Sequence, residues 1–475
     1  QGHRDPAAAR PAPPGPTGMS AGRGEVSTMV VGAGPAGSML AILLSRQGRR
    51  VVVYESRPDL REVEIGAGRS INLALANRGI VALEAVGVYD RVEPIVIPMR
   101  GRMIHGPDGS TELQPYGNRP DEVIHSVSRS ALNAILLDAA ESLGVRIHFG
   151  HRCRSVDLDA GEARFEVAGA GGGSHELTVG FHAVFGADGA NSVVRDATLA
   201  ANGGRVHIEP LDHGYKELTL SAGPGGRSRL DPNALHIWPR EEFMSIALAN
   251  PAGDFTVTLF LAERGTDPSF ATLTGPAEVE SFFGREFPDL AALVPDVARQ
   301  FQANPTGSLA TVRCRGWSHE ARSVILGDAA HAVVPFHGQG MNAAFESCLV
   351  LDRHLGNHTD DPAAALTAFE HERRPDTDAI ADMALENYVE MRSGVIDPAH
   401  RLRRELALEL ERRWPDVFVP RYAMVMFHTM PYSAARARAG RQAAVLEELT
   451  DGVASVDEVD FERAGVLVER LKEMM

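Results

Sequence analysis

Cysteine is scarce. The 475 residues contain three, Cys153, Cys314 and Cys348, and none form a C-x-x-C pair. This excludes a disulfide framework and a cysteine-built zinc site, and it fits a reducing, cytoplasmic setting. Long apolar runs are missing too. With no stretch of about 18 apolar residues, no segment should span a bilayer. Basic charge is outnumbered, with 47 Lys and Arg against 63 Asp and Glu, a formal net charge of -16. Nucleic-acid binders carry a basic stripe, so that partner class is excluded. The acidic excess reads as solubility. Internal repeats are absent.

What is present is ordinary globular composition, 44% hydrophobic and 23% charged, in a chain long enough for more than one domain. Residues 1–24 are rich in Ala, Pro, Gly and Arg without an apolar h-region. They read as a disordered tail and not a signal peptide, with structure beginning at Val26. Met29-Val30-Val31 reads as a strand, followed by a glycine turn, a helix carrying Met39, Leu40, Leu43 and Leu44, and a second strand, Val51 to Tyr54. Gly106-Pro107-Asp108-Gly109 marks a hairpin. Residues 128–142 read as a helix, Gly171-Gly172-Gly173 as a hairpin tip, residues 206–310 as β-rich, and the chain from Pro362 onward as helical. The expected fold class is α/β: a Rossmann-like dinucleotide-binding domain, a β-sheet substrate domain and a helical C-terminal region. The nucleotide domain is expected in three parts, 25–92, 121–203 and 313–358. The substrate domain takes 93–120 as a hairpin plus 204–312, and helices fill 359–475.

Gly32-Ala33-Gly34-Pro35-Ala36-Gly37 is a G-x-G-x-x-G between strand and helix, with Glu55 ending the next strand. Gly32 allows the tight turn, Gly34 clears space for a pyrophosphate, and Gly37 lets helix and strand approach. Glu55 would take the ribose hydroxyls. Two further segments are D-G-x-x-S-x-x-R, from Asp188 to Arg195, and Ile325-Leu326-Gly327-Asp328 before a helix. Taken alone, Asp188 reads as an Asx-turn residue. No second G-x-G-x-x-G is evident for a nicotinamide.

These three motifs, in this order, resemble those of the single-component flavoprotein hydroxylases, the family of para-hydroxybenzoate hydroxylase. The resemblance implies FAD as cofactor, with Asp328 on its ribityl chain and Asp188 near the pyrophosphate. NADPH is then the implied visiting co-substrate and O₂ the oxidant. Gly68-Arg69-Ser70-Ile71-Asn72-Leu73-Ala74-Leu75, the segment 97–105, Ser126 to Arg129, Leu235 to Arg240, Val334 to Asn342 and Asn387 to Arg392 are similar to the kynurenine hydroxylases within that family. The implied substrate is L-kynurenine, hydroxylated ortho to its amine. On this resemblance Arg102 and Tyr116 would hold the substrate carboxylate, with Asn387, Met391 and Tyr422 completing the pocket. Pro335, Phe336 and His337 would lie near the ring. Ala74, Arg129 and Cys153, with the backbone of Met341 and Asn342, would join Gly32, Gly34, Gly37, Glu55, Asp188 and Asp328 around FAD.

The hairpin geometry agrees. A turn centred on Asp108 puts Arg102 opposite Gln114 and Tyr116 diagonally adjacent. On the tail helix, Asn387 and Met391 share a face with Met383. Without the resemblance, Arg102 would read as a solvated sheet arginine and Met391 as core filling; His331 reads as structural. The acidic tail, Glu447 to Glu462, implies a soluble, bacterial-type form, monomer or homodimer, with no metal. Other readings are a hydroxylase of a modified kynurenine or another aminoaryl acid, a flavin halogenase or reductase, and a non-catalytic FAD-binding protein. The scattered Trp238, Trp317 and Trp414 count against a halogenase.

Overall fold

The computed structural model describes residues 28–62, 72–169 and 173–474. The expected tail, Val26, Gly68 to Ile71 and Gly171-Gly172 lie outside them.

The chain opens with strand β1 (Thr28–Val31), helix α1 (Pro35–Arg46) and strand β2 (Val51–Tyr54). Both strands are buried on both faces, as β-branched runs in a parallel sheet should be. Their sheet runs Ser318–His319, Ser323–Ile325, Ala183–Gly186, β1, β2, Arg146–His148, parallel except at the first edge. Three segments far apart in sequence therefore form one nucleotide-type sheet. Gly32 turns the chain at φ +100°, where a Cβ would stand 2.3 Å from the Ala187 carbonyl oxygen. Pro35 occupies the first turn of α1, where its missing N–H costs nothing.

The second sheet is the floor of the site. It contains β3 (Gly101–His105) and β4 (Thr111–Pro115). They form the expected hairpin, with Arg102 paired to Gln114 and the Tyr116 N–H donating to the Arg100 carbonyl at 3.0 Å. Helix α2 (Arg129–Ser142) follows, burying Leu132, Leu136 and Leu137. The sheet continues with β5 (Arg205–Leu220), β6 (Leu235–Arg240), β7 (Phe243–Ala249), β8 (Phe255–Ala262) and β9 (Thr306–Arg315). Strand order is β9-β5-β8-β7-β6-β3-β4, with only the β6–β3 pair parallel. Residues 204–312 are less purely β than expected. Helices Pro276–Glu286, Pro288–Leu293 and Val297–Ala303 cover one face of this sheet, packing Phe282, Phe283 and Phe287 against Trp238, Val257 and Leu259. The apolar side chains alternating toward that face had to be covered by something.

On the other face the 31-residue α5 (Pro362–Arg392) packs Tyr388 and Met391 against Ile237, Met244 and Phe260; α3 (Asp328–His331) and α4 (Gly340–Asn357) precede it. Asp361 caps α5 through the Ala364 N–H at 3.0 Å. The helices beyond form their own small core around Leu406, Leu410, Phe418 and Val468.

Candidate active site

One cavity of about 1170 Å³ runs between the two sheets. That exceeds the roughly 300–1,000 Å³ of an ordinary small-molecule site. Its walls come from both motif clusters of the sequence.

At the nucleotide end the lining includes Gly32, Gly34, Glu55, Ala74, Arg129, Cys153, Asp188, Asp328 and Met341. Nothing stands within 4 Å of where a Gly34 Cβ would lie, so that turn is open to the cavity. The Glu55 carboxylate accepts from the Ala33 N–H and from Arg57 Nε, both at 2.8 Å. Burial opposes its charge, but Arg57 and the two backbone N–H groups hold it below the usual range. Asp328 opens onto the cavity with no hydrogen-bond or ion-pair partner among the described residues. Burial raises its carboxyl and the Arg129 charge pulls it down. An unpaired carboxylate aimed into the cavity, beside an open glycine turn and an acid ending the second strand, fits a dinucleotide bearing sugar hydroxyls.

Three expected cofactor residues act differently from the rest. Gly37 is absent from the lining; its Cβ would stand 2.0 Å from the Gly32 carbonyl oxygen, so it packs helix on strand. Asn342 is also behind the wall. Its side chain accepts from the Ala76 N–H at 3.0 Å and donates to the Ala74 and Gly338 carbonyls at 2.8 and 2.9 Å, fixing the strand that carries Ala74. Asp188 lines the cavity, yet its carboxylate is taken up by Ser192 and by the Val193 and Val194 N–H groups at the start of the next helix. The Asx-type local reading describes those bonds. Burial and Asp188 push the Cys153 thiol up to about 12, so it stays a neutral wall atom. His331 is buried on Ser347 at 3.1 Å and held neutral, its value lowered to about 3 by burial and Arg373.

The other end is aromatic and cationic. Arg102 is 4% exposed, with its guanidinium carbon 4.7 Å over the Tyr422 ring. Tyr422 stacks on Tyr116 at 5.2 Å and on His337 at 5.5 Å. Phe336 stacks on Tyr388 at 3.9 Å, and Met391, Pro335 and Phe336 complete this wall. Burial and Arg421 lower His337 to about 3, so its ring is neutral at pH 7. Asn387 does not reach the cavity. It accepts from Arg102 at 3.3 Å and donates to the Phe336 carbonyl at 2.7 Å, a brace behind the wall. Among the described residues, three polar atoms on cavity-lining side chains at this end are buried without a partner: Arg102 Nε, the Tyr116 hydroxyl and His337 Nδ1. Buried groups left unpaired are costly, so each marks a place for a ligand.

Comparison with known proteins agrees with this anatomy. A family model described as an FAD binding domain matches residues 25–212 and 293–384, leaving out β6, β7 and β8 of the floor sheet. Kynurenine 3-monooxygenase of Stenotrophomonas maltophilia is 49% identical over 435 residues, 92% of this chain and 94% of the relative. That of Xanthomonas axonopodis pv. citri is 48% identical with the same coverage. This chain belongs to the kynurenine 3-monooxygenase family. The family's fold extends to a more distant oxygenase: solved 2-methyl-3-hydroxypyridine-5-carboxylic acid oxygenase superposes with a TM-score of 0.63 at 21% identity, covering 80% of this chain and 96% of that one. As a member, the chain is a flavoprotein monooxygenase with FAD as its cofactor. No helix among the described residues is long and apolar enough to cross a membrane.

Sequence reasoning missed two acids of this family member's site. Glu390 accepts from Arg102 at 2.8 Å and also faces Arg421 at 3.3 Å. Burial would raise its carboxyl, but Arg102, Arg421 and His400 hold it at about 2. Glu217 lines the cavity from β5. Glu390 stands beside Met391 in a segment already singled out, and three residues after Asn387 it shares a helix face with it. That spacing was the available signal.

Proposed function

We propose that this protein hydroxylates L-kynurenine to 3-hydroxykynurenine with NADPH and O₂, in the cytoplasm. The observation that carries the reading is the pair of orphaned polar atoms, Arg102 Nε and the Tyr116 hydroxyl, side by side in an aromatic wall. A guanidinium and a phenol with free donors fit one carboxylate. Asn387 and Glu390 fix the guanidinium before substrate arrives, so little ordering entropy remains to be lost on binding.

Bound FAD, held by the Gly32–Gly37 turn, Glu55, Arg129 and Asp328, would supply the redox chemistry that activates oxygen. This chain's residues do the rest. Arg102 and Tyr116 anchor the amino-acid head far from the reacting carbon, using remote binding to place the ring. Leu235, Ile246, Leu248, Phe260 and Phe336 surround that ring and exclude water. His337, neutral and with a free Nδ1, is suited to hydrogen bonding and not to carrying charge.

The test is to mix purified FAD-loaded protein with L-kynurenine, NADPH and air, and to identify the product by mass and NMR. A 3-hydroxylated product is expected. Preferential turnover of another aminoaryl acid in a substrate panel would move the assignment to that compound.

A further inference from the structure

Among the described residues, no hydrogen bond or ion pair uses the buried carboxyl of Glu217. Alternation along β5 sends Lys216 to the outer face, where its ammonium donates to the Phe301 and Asn304 carbonyls at 2.9 and 2.7 Å. Tyr215 and Glu217 line the cavity instead. Glu217 is 8% exposed, and its carboxyl has no hydrogen-bond or ion-pair partner among the described residues. Burying a carboxyl in this way is expensive, and its position suggests why it is kept.

Arg102 on β3 and Glu217 on β5 face the same cavity from opposite ends of the floor sheet. Strands β6, β7 and β8 separate them, four steps of about 4.8 Å or roughly 19 Å in all. Leu235, Ile246, Leu248, Thr258 and Phe260 line the interval. Thr258 pairs directly with Glu217. With its carboxylate at Arg102, an amino acid whose ring lay over β7 and β8 would turn its far edge toward β5. We propose that Glu217 is the catalytic proton-transfer residue at that reacting edge. The proposal rests on the hydroxylase reading above.

Burial pushes this carboxyl up to about 7, and Arg129 pulls the other way. The groups facing it are Arg129 from α2 and Tyr215 from its own strand; Asp328 of α3 shares the same Arg129. Strands β8 and β9 present Thr256, Thr258, Ser308 and Leu309, which bring no charge. A group present in both forms near neutrality can take up and return a proton in one cycle.

Hydroxylation replaces a ring C–H with C–OH. One atom of O₂ forms the new C–O bond as the O–O bond breaks. The ring hydrogen then leaves as a proton, and its bonding pair returns to the π system. Ionised Glu217 takes that proton and, as the acid, returns it to the second oxygen atom, which departs as water. Hydride from NADPH supplies the two electrons and solvent one further proton, so ArH, O₂, NADPH and H⁺ give ArOH, H₂O and NADP⁺. Glu217 ends as it began.

The test uses FAD-loaded wild type, Glu217→Gln and Glu217→Asp. Difference infrared spectra of the oxidised protein, taken across pH without turnover, should show a carboxylic C=O band titrating near neutrality in wild type and not in Glu217→Gln. Under saturating kynurenine, the wild-type pH profile of product formation should bend in the same range. Glu217→Gln should lose that bend and about 100-fold or more in kcat, with FAD and kynurenine dissociation constants within about twofold. Glu217→Asp should restore part of the rate with a shifted bend. An unchanged bend in Glu217→Gln, or no titrating band in wild type, overturns the proposal. Should Glu217→Gln fail to hold FAD, Glu217→Asp decides: a shifted bend supports the proposal and an unmoved one overturns it. If wild type makes no hydroxykynurenine, the substrate reading has failed, and the infrared band still reports on Glu217 separately.

Discussion

The nucleotide end of the cavity is made largely of backbone turns with neighbours in sequence, Gly32 to Ala36 and Ala187 to Val193, whereas the substrate end is made of side chains from strands and helices hundreds of residues apart. Arg102 meets Asn387 across 285 residues and Glu390 across 288. A backbone turn is rigid as soon as its strand and helix form. A side-chain clamp needs its own supports, and here those are a carboxylate, an amide and a stacked phenol around one guanidinium. The two ends should therefore fail independently, and the substrate end should also carry a stability cost when one charge is removed.

Arg102→Ala should give the largest effect. It removes the carboxylate anchor, so kynurenine affinity should fall about 100-fold or more, as expected for a lost charge-assisted pair. It also takes one of two arginine partners from Glu390, which keeps Arg421 at 3.3 Å, so the stability cost should fall below the about 3–5 kcal/mol of breaking an isolated buried pair. Spectroscopic titration and thermal melts would measure both. Adding Glu390→Gln to Arg102→Ala should recover much of the melting temperature and none of the affinity. FAD binding should stay within about twofold throughout. Loss of flavin with either variant would break the separation of the two ends.

The converse change, Asp328→Ala, should act only at the nucleotide end. A hydrogen bond to a charged group contributes about 1.5–3 kcal/mol, so FAD affinity should fall roughly 10- to 100-fold. Kynurenine affinity at saturating flavin should not move. Because Asp328 has no hydrogen-bond or ion-pair partner among the described residues, apo-protein stability should be unchanged or slightly raised, read as the melting temperature after flavin removal. Tyr116→Phe comes next. Its hydroxyl is orphaned in the free protein, so stability should hold while kynurenine affinity drops by a net of about 1 kcal/mol, roughly fivefold.

How much of this the sequence disclosed follows from the same contrast. The βαβ unit, the Arg102–Gln114 pairing and the helix over residues 129–142 were legible because their signals are local: a glycine turn, an Asp-Gly hairpin, leucines at helical spacing. The helices covering the floor sheet were not read from residues 276–303. Three short segments punctuated by Pro276 and Pro288 give little periodicity, and the need to cover Trp238, Val257 and Leu259 is visible only once the sheet exists. Asn387 was recognised as belonging to the site but placed on its surface, and the amide of Asn342, expected there through its backbone, was given no role. Whether an amide faces a cavity or braces its wall depends on partners such as Phe336 and Ala76, which are remote in sequence. Glu390 and Glu217 were passed over because an acid in a helix or strand reads as solvated until its neighbours are known.

The smallest effect concerns pH, and it separates the ends most cleanly. Glu390 is held at about 2 in the fold, below the roughly 4.3 of a free glutamate. A depressed acid stabilises the folded state above its unfolded value, and that contribution disappears as pH falls through its folded value. His337, lowered to about 3, acts in the same direction, because the fold binds it neutral and unfolding lets it charge below roughly 6.5. Both groups therefore weaken the protein on acidification, and neither changes charge in the folded state between about pH 5 and 8. Kynurenine affinity, measured at equilibrium without NADPH, should be flat across that range to within about twofold. Glu217, at about 7, titrates in the middle of it but lies four strands from Arg102. A neutral-range bend belongs in turnover and not in substrate binding. A bend of equal size in binding would mean that the clamp itself titrates, and the division between the two ends would be wrong.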